Sequence, residues 1–317
     1  MADNQLNVLS LNLRGLNSYV KHNSLKLELK NNKTGIALIQ ETHFKVNAMP
    51  KIHFRGFNPV YVSKLQEKKA KGTAILIADS IQWSYREHIS DNQGHLVAVK
   101  GNIGDKMYTF ASVYLPNTRQ LQTLKSILHT LDGFTEGTLI IGGDLNLSLE
   151  PMVIVHYRNR LLHSYRMIDV WRTLNPNARD DSYYSSVQHL CSWIDYLPIP
   201  YDHLSTVKNA SIGPITWSDH APNMCSLDIL NAQSRTWQWK LNESLLEDPE
   251  IANKIQKVLN NYFRENTGKG PNNMLVWEAH KCVVRGEIIK VASQKKKERK
   301  QRYNKLYADL ISLEQAH

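Results

Sequence analysis

The chain has 317 residues, is 42% hydrophobic and carries a formal net charge of +10. That size suits one large domain, or one of about 200–250 residues with an appendage, and the charge favours a polyanionic partner. Three widely spaced cysteines (Cys191, Cys225, Cys282) with no C-x-x-C pair argue against a disulfide framework and a zinc site. No apolar run approaches the roughly 20 residues of a membrane span, and Met-Ala-Asp-Asn-Gln at the start has neither a basic nor an apolar leader. The expected location is therefore nucleus and cytoplasm, with no membrane partner.

Residues 6–13 alternate and then reach Arg14-Gly15, the pattern of a strand running into a loop. Lys21 to Lys30 carries Leu25 and Leu29 at helical spacing. Ile36 to Ile39 is a continuous apolar run that stops at Glu41. Phe57 to Val62 and Thr73 to Ala78 read as strands joined by a basic loop, Glu67-Lys68-Lys69-Ala70-Lys71-Gly72. Leu96 to Lys100 and Tyr108 to Tyr114 flank Asn102-Ile103-Gly104-Asp105, a hairpin signal. Leu121, Leu124, Ile127, Leu128 and Leu131 share one helical face. Thr138 to Ile141 is a buried strand delivering Gly142-Gly143-Asp144, and Tyr165 to Leu174 is expected to be helical. Strands dominate and helices are interspersed, which predicts two packed sheets flanked by helices. From Arg235 the chain turns helical, with Trp237, Trp239 and Trp277. Gly268-Lys269-Gly270-Pro271 breaks it into two stretches, and a Lys/Arg run covers 294–302.

Polar residues stand where several of these strands end. Hydrolysis of a phosphodiester needs neutralised phosphoryl charge, an activated water and a stabilised leaving alkoxide. Glu41 offers a hard oxygen ligand suited to Mg²⁺. Asp144 and Asn146 follow two glycines that allow sharp bending and close approach of a ligand. Ser218-Asp219-His220 sets a carboxylate beside an imidazole, and Asp195 is a further carboxylate that can hold the imidazole's tautomer and charge. Tyr114 ends a strand where its hydroxyl can reach the same loops. Taken singly, each motif is as readily a turn, a helix cap or a solvated strand end.

In their order, the motifs resemble those of the endonuclease/exonuclease/phosphatase family, which includes DNase I-like nucleases and abasic-site endonucleases. The resemblance covers residues 6 to about 230. It is closest to the apurinic-endonuclease-like domain that opens the second open-reading-frame protein of non-LTR (LINE-type) retrotransposons. The wording that carries it is LNLRGLNS (11–18), IQETH (39–43), VYLPN (113–117) and DVWRTLNP (169–176).

The resemblance implies a four-layered α/β sandwich over residues 1–230 and a helical basic connector over 231–317 that would precede a reverse transcriptase. No polymerase motif is present, so the chain is expected to be a fragment or a truncated copy. The implied activity is Mg²⁺-dependent nicking of double-stranded DNA, with Mn²⁺ able to substitute, leaving a 3′-hydroxyl that primes reverse transcription. Element RNA is a candidate second partner of the basic segment. The implied catalytic residues are Asn12, Glu41, Tyr114, Asp144, Asn146, Asp195, Asp219 and His220. Glu41, Asp219 and Asn12 are the expected metal set, and Arg14, Asn117, Ser182, Ser218 and Trp193 the expected DNA contacts. Three features depart from the family pattern. Trp193 stands where Arg or Lys is usual, Pro198 and Pro200 enter an expected strand, and the stretch after Asn146 is short with an apolar patch at Met152 to Val155. They read as a divergent target preference or as a decayed copy. The other readings are an abasic-site repair nuclease, a phosphatase of the same fold, or a catalytically inert nucleic-acid-binding module.

Overall fold

The computed structural model describes residues 5–44, 54, 56–63, 71–146, 159–229, 241–267 and 273–315. The chain divides into two compact units, 1–235 and 236–317. The first opens with β1 (Gln5–Asn12), α1 (Tyr19–Asn31) and β2 (Ile36–Gln40), followed by β3 (Phe57–Val62) and β4 (Thr73–Ala78). Next come β5 (Trp83–Ser90), β6 (Leu96–Ile103), β7 (Lys106–Tyr114), α2 (Gln120–Phe134) and β8 (Thr138–Asp144). After β9 (Met167–Asp169) and α3 (Val170–Leu174), a series of short strands follows: β10 (Tyr183–Ser185), β11 (Leu190–Ser192), β12 (Asp195–Tyr196) and β13 (Pro198–Pro200). β14 (Val207–Ile212) and β15 (Asn223–Asp228) close the unit.

Two mixed sheets result, ordered β14-β15-β1-β2-β4-β3 and β12-β8-β7-β6-β5. Each contains one parallel pair made by a strand-helix-strand crossover, β1 with β2 through α1 and β7 with β8 through α2. Such central strands are covered on both faces, which is why residues 36–39 and 139–141 are apolar without a break. One face of the first sheet (Leu6, Val8, Ile36, Leu38) meets Val97, Val99, Phe110 and Ile140 of the second. The opposite faces bury Leu25 and Leu29 of α1 and Leu124, Ile127, Leu128 and Leu131 of α2. The α/β sandwich expected from the sequence is thus present, as helix, sheet, sheet, helix. Its core is hydrophobic burial at roughly 25 cal/mol per Å² of apolar surface removed from water.

The structure differs from the expected elements at two places, and at a third it shows how an expected strand accommodates its prolines. The helix expected over Tyr165 to Leu174 is a short strand, β9, running into the single turn of α3. Asp169 ends the strand and caps the helix, its carboxylate accepting from the Arg172 N–H at 3.1 Å. Strand β5 was not apparent in the sequence, because it is a sheet edge with mostly exposed residues and no apolar alternation. Pro198 and Pro200 do lie in a strand, β13, paired with β9. Leu197 accepts from the Val170 N–H at 3.3 Å and the Tyr201 N–H donates to the Arg166 carbonyl at 2.8 Å. Odd-numbered residues therefore face the ladder, and both prolines turn their missing donors away from β9, where no ladder bond is required.

In the second unit, α4 (Pro249–Asn266) and α5 (Asn273–Gln315) pack through Ile251 and Ile255 against Ile288 and Val291. Asp248 caps α4 on the Glu250 N–H at 3.0 Å and pairs with Lys295. Much of the 64–72 basic loop, Met152 to Val155, Trp237, Trp239 and the Gly268–Pro271 break lie outside the described residues.

A Cβ on Gly143 would lie 2.1 Å from the Val113 carbonyl oxygen, its parallel neighbour in β7, whereas one on Gly133 of α2 meets nothing within 4 Å. Gly143→Ala is expected to cost about 3 kcal/mol in urea unfolding, because the β7–β8 pair must open. Gly133→Ala, in open space on a helix, should leave stability unchanged or raise it by about 0.5–1 kcal/mol.

Candidate active site

The carboxyl ends of both parallel pairs point the same way, the usual place for a ligand in a sheet of this kind. Asn12 ends β1, Glu41 follows β2, Tyr114 ends β7 and Asp144 ends β8. β12 runs antiparallel to β8 and sets Asp195 opposite Asp144. The loop before β15 supplies Ser218, Asp219 and His220, and His220 bridges to Tyr183. Side chains from as far apart in the chain as Arg14 and His220 are thereby drawn to the rim of one open cavity of about 450 Å³, lined among others by Glu41, Tyr114, Asp144 and Asn146.

The buried amide of Asn12 links the two sheets. Its Nδ2 donates to Glu41 Oε1 at 3.0 Å and to Asp144 Oδ2 at 2.9 Å, while its Oδ1 accepts the Arg14 N–H at 2.9 Å. The Ser218 hydroxyl donates to the Asn12 carbonyl at 2.7 Å. Asn12 thus shows its nitrogen, not its oxygen, to the two carboxylates. Asp144 also accepts the Asn146 N–H at 2.8 Å, and Asn146 Nδ2 donates to the Leu115 carbonyl at 2.7 Å. Beneath this layer Gln40 Nε2 reaches Ser112 Oγ at 3.1 Å and the Gly142 carbonyl at 3.3 Å, a polar contact between the sheets.

His220 Nδ1 donates to Asp195 Oδ2 at 2.8 Å, and its Nε2 lies 3.8 Å from Asp144 Oδ2. All three residues are buried. Burial disfavours the imidazolium, but the charge and hydrogen bond of Asp195, with Asp144 behind them, outweigh it and raise the His220 pKa to about 9. Asp144 goes the other way from the usual acid range: burial and the charge of Asp195 raise it to about 7. Burial also opposes ionisation of Glu41, yet the hydrogen bonds of His43 and Asn12 and the charge of His43 prevail, lowering its pKa to about 2. Burial, reinforced by Glu41 and Asp144, pushes the Tyr114 phenol up, so it stays a donor.

The donor set suits a hard divalent cation. Glu41 is fully ionised, and a carboxylate accepting one bond on each oxygen, from Asn12 and from His43 at 3.0 Å, keeps lone pairs free. Asp195 Oδ1 is buried with no hydrogen-bond partner among the described residues. Ligand atoms of Asp144, Asp195 and His220 lie within 4.8 Å of one another. Of these, His220 is the poorest candidate ligand, since it holds a proton on each nitrogen at neutral pH.

The other expected residues fall into two groups. Arg14 and Asn117 line the cavity with Asp219. Ser182 and Ser218 lie behind it: Ser182 Oγ accepts the N–H groups of Ile194 and Asp195 at 3.1 and 3.0 Å, fixing the approach to Asp195. Trp193 also sits behind the rim, 4.5 Å from the Tyr196 ring and under the Arg172 guanidinium at 4.1 Å. Sequence reasoning passed over Tyr183, whose ring lies 4.7 Å from His220, and Gln120, which donates to the Asn117 carbonyl at 3.0 Å. It also passed over the β10–β11 hairpin, whose Val187 is 89% exposed at the cavity mouth. Only Gln40 had a readable signal, as a polar residue ending a buried strand.

A family profile described as "Endonuclease/Exonuclease/phosphatase family" matches residues 5–220. Similar solved structures include the AP endonuclease LMAP of Leishmania major, 16% identical with a TM-score of 0.59, covering 71% of this chain and 88% of that one. An AP endonuclease from Archaeoglobus fulgidus is 19% identical with a TM-score of 0.57, covering 70% and 99%. The endonuclease domain of TRAS1, a telomere-specific non-LTR retrotransposon, is 19% identical with a TM-score of 0.55, covering 70% and 98%. At these identities the likeness is one of fold.

The His220–Asp195 pair has a pH signature. Because the folded-state pKa of about 9 exceeds the ordinary 6.5, the pair's stabilisation is complete below pH 6.5 and is lost as pH rises through about 9. In urea unfolding with chelator, the stability gap between wild type and His220→Asn should shrink over that window by on the order of 3 kcal/mol. A gap that is flat from pH 6 to pH 9.5 would mean that the imidazole is neutral in the folded protein.

Proposed function

The chain belongs to the endonuclease/exonuclease/phosphatase family, and on that premise we propose that it is a metal-dependent endonuclease that nicks double-stranded DNA. We further propose that the nick leaves a 3′-hydroxyl from which a LINE-type retrotransposon primes reverse transcription. The observation that carries the nuclease reading is the Asn12 amide tying Glu41 to Asp144 beside the Asp195–His220 pair. The retroelement reading rests on the wording of residues 11–18, 39–43, 113–117 and 169–176.

In this reading Glu41 anchors a divalent cation, with Asp195 and Asp144 nearby and Asn12 as the positioning residue between the carboxylates. The bound ion would neutralise phosphoryl charge and ease departure of the alkoxide. Asp144, with a pKa near neutrality and its orientation fixed by Asn12 and the Asn146 N–H, takes the proton from the attacking water. The water oxygen bonds to phosphorus as the P–O3′ bond breaks, leaving a 5′-phosphate and a 3′-alkoxide that takes a proton from solvent to become the 3′-hydroxyl. The His220 imidazolium and the Tyr114 phenol donate to the phosphoryl oxygens as negative charge develops. The exposed β10–β11 hairpin beside the cavity is suited to read the duplex, and the second unit, with its basic helix, would be the connector to a reverse transcriptase, with element RNA a candidate partner.

Supercoiled plasmid incubated with Mg²⁺ should be converted to open circles, and Asp144→Ala and His220→Ala should each slow this by about 100-fold or more. The nicked ends should be extended by a DNA polymerase without prior end repair. Nicking by both variants at the wild-type rate would sink the assignment. Two of the similar structures are AP endonucleases, so an abasic duplex is the discriminating substrate. Cleavage of it faster than intact DNA by orders of magnitude would favour a repair enzyme. Replacing Val187 and Gln188 at the hairpin tip by glycines should redistribute the mapped nick positions while Mg²⁺-dependent turnover persists. An unchanged nick map would remove the hairpin from target selection.

A further inference from the structure

The flank of the cavity formed by Asp219 holds a cation of the protein's own. Arg14 Nη1 lies 2.6 Å from Asp219 Oδ2, so a guanidinium stands against the carboxylate and compensates its charge. The Asp219 side chain is 17% exposed and that of Arg14 64%. The guanidinium is thus the accessible member of the pair, with four further N–H donors.

Its placement is built into the backbone. Arg14 adopts a left-handed conformation (φ 45°), which costs a non-glycine residue about 1 kcal/mol or more. Five hydrogen bonds hold it there. The Arg14 N–H donates to Asn12 Oδ1, and the N–H groups of Gly15 and Leu16 donate to the Glu41 and Thr42 carbonyls at 2.7 and 3.1 Å. The Lys21 ammonium donates to the Leu13 and Arg14 carbonyls at 2.6 and 2.9 Å. The same Asn12 that orients Glu41 and Asp144 therefore also fixes the start of the Arg14 turn.

We infer that Arg14 is a resident phosphate clamp: the Arg14–Asp219 flank receives a phosphodiester oxygen, and a divalent cation binds only on the Glu41 side. The inference deepens the nuclease reading and rests on it for the identity of the ligand. A carboxylate already paired with a guanidinium is a weak anchor for a hard cation, because the permanent positive charge beside it offsets its own and repels a second cation. A planar guanidinium with free donors is well matched to a phosphate, to which it can bind through two parallel N–H bonds. Asp219 is then a positioning residue that aims Arg14, in place of the metal ligand its motif suggests.

The test needs no turnover. Calorimetric titration of the full chain with Mn²⁺, without DNA, should give one ion per chain for wild type and for Asp219→Asn. Arg14→Ala frees the carboxylate and should add a second, weaker site. Two ions on wild type, or loss of the ion in Asp219→Asn, would overturn the inference. In EDTA, the slope of log affinity against log salt for an intact duplex should fall by about one in Arg14→Ala and be retained in Arg14→Lys. An unchanged slope in Arg14→Ala would also overturn it. If these results come as expected but wild type does not nick plasmid, the nuclease reading fails and the anion clamp stands. If wild type nicks plasmid but binds two ions, the clamp fails and the nuclease reading stands.

Discussion

One side-chain amide sets the geometry on which the site depends. Asn12 sits at the end of β1 in one sheet and binds Glu41 of the same sheet and Asp144 of the other. An amide is the side chain that can do this: it presents two N–H donors to two carboxylates and keeps an acceptor for the backbone. An aspartate there would bring a third negative charge into a buried space, and a serine would be too short to span the sheets. Asn12 therefore lets two acids approach each other, and the close sheet packing below it, at Gly142 and Gln40, brings the strands near enough to be linked.

The electrostatics follow from where the charges are left uncompensated. Glu41 faces donors and is held ionised, whereas Asp144 is fully enclosed and feels Asp195. Two carboxylates on neighbouring strand ends are thereby driven to opposite ends of the acid range by their surroundings, the circumstance that separates a metal-anchoring group from a proton-accepting one. Asp195 is the hinge of this arrangement. It raises the pKa of both Asp144 and His220, and it is itself held by backbone bonds to the buried Ser182. A hydroxyl that never reaches the cavity thus helps determine the charge inside it.

Much of this was legible in the sequence because buried strands are apolar without interruption, so a polar residue at a strand end stands out. Asn12, Glu41, Tyr114 and Asp144 stand out in this way, and the same runs imply the sandwich. What was not legible depends on pairing across long stretches of chain. β5 is an edge whose exposed residues lack alternation, and β9 is a three-residue strand whose partner lies about thirty residues on. Ser182 and Ser218 carry short hydroxyls that suit a phosphate or a backbone N–H equally well. Only burial distinguishes the two. Arg14 posed a related problem: its pairing with Asp219 spans 205 residues and has no local signature.

Trp193, Pro198 and Pro200, the unusual residues around Asp195, lie in the support of the site and not among the side chains bonded within it. Trp193 packs between Trp171 and Tyr196 with Arg172 across its face, a cluster that stiffens the strand leading into Asp195 from behind. The two prolines occupy the non-bonding positions of β13, where they cost no ladder hydrogen bond and restrict the unfolded chain. None of the three touches Asp144, Asp195 or His220 in the bonds that define the site. A substitution that damages such a site must orphan a buried charge or misplace a donor. These instead preserve the backbone pairing that delivers Asp195 to His220. The strand leading into Asp195 thus meets its mechanical requirement by aromatic packing and proline stiffening, and the Asp195–His220 hydrogen bond stays intact.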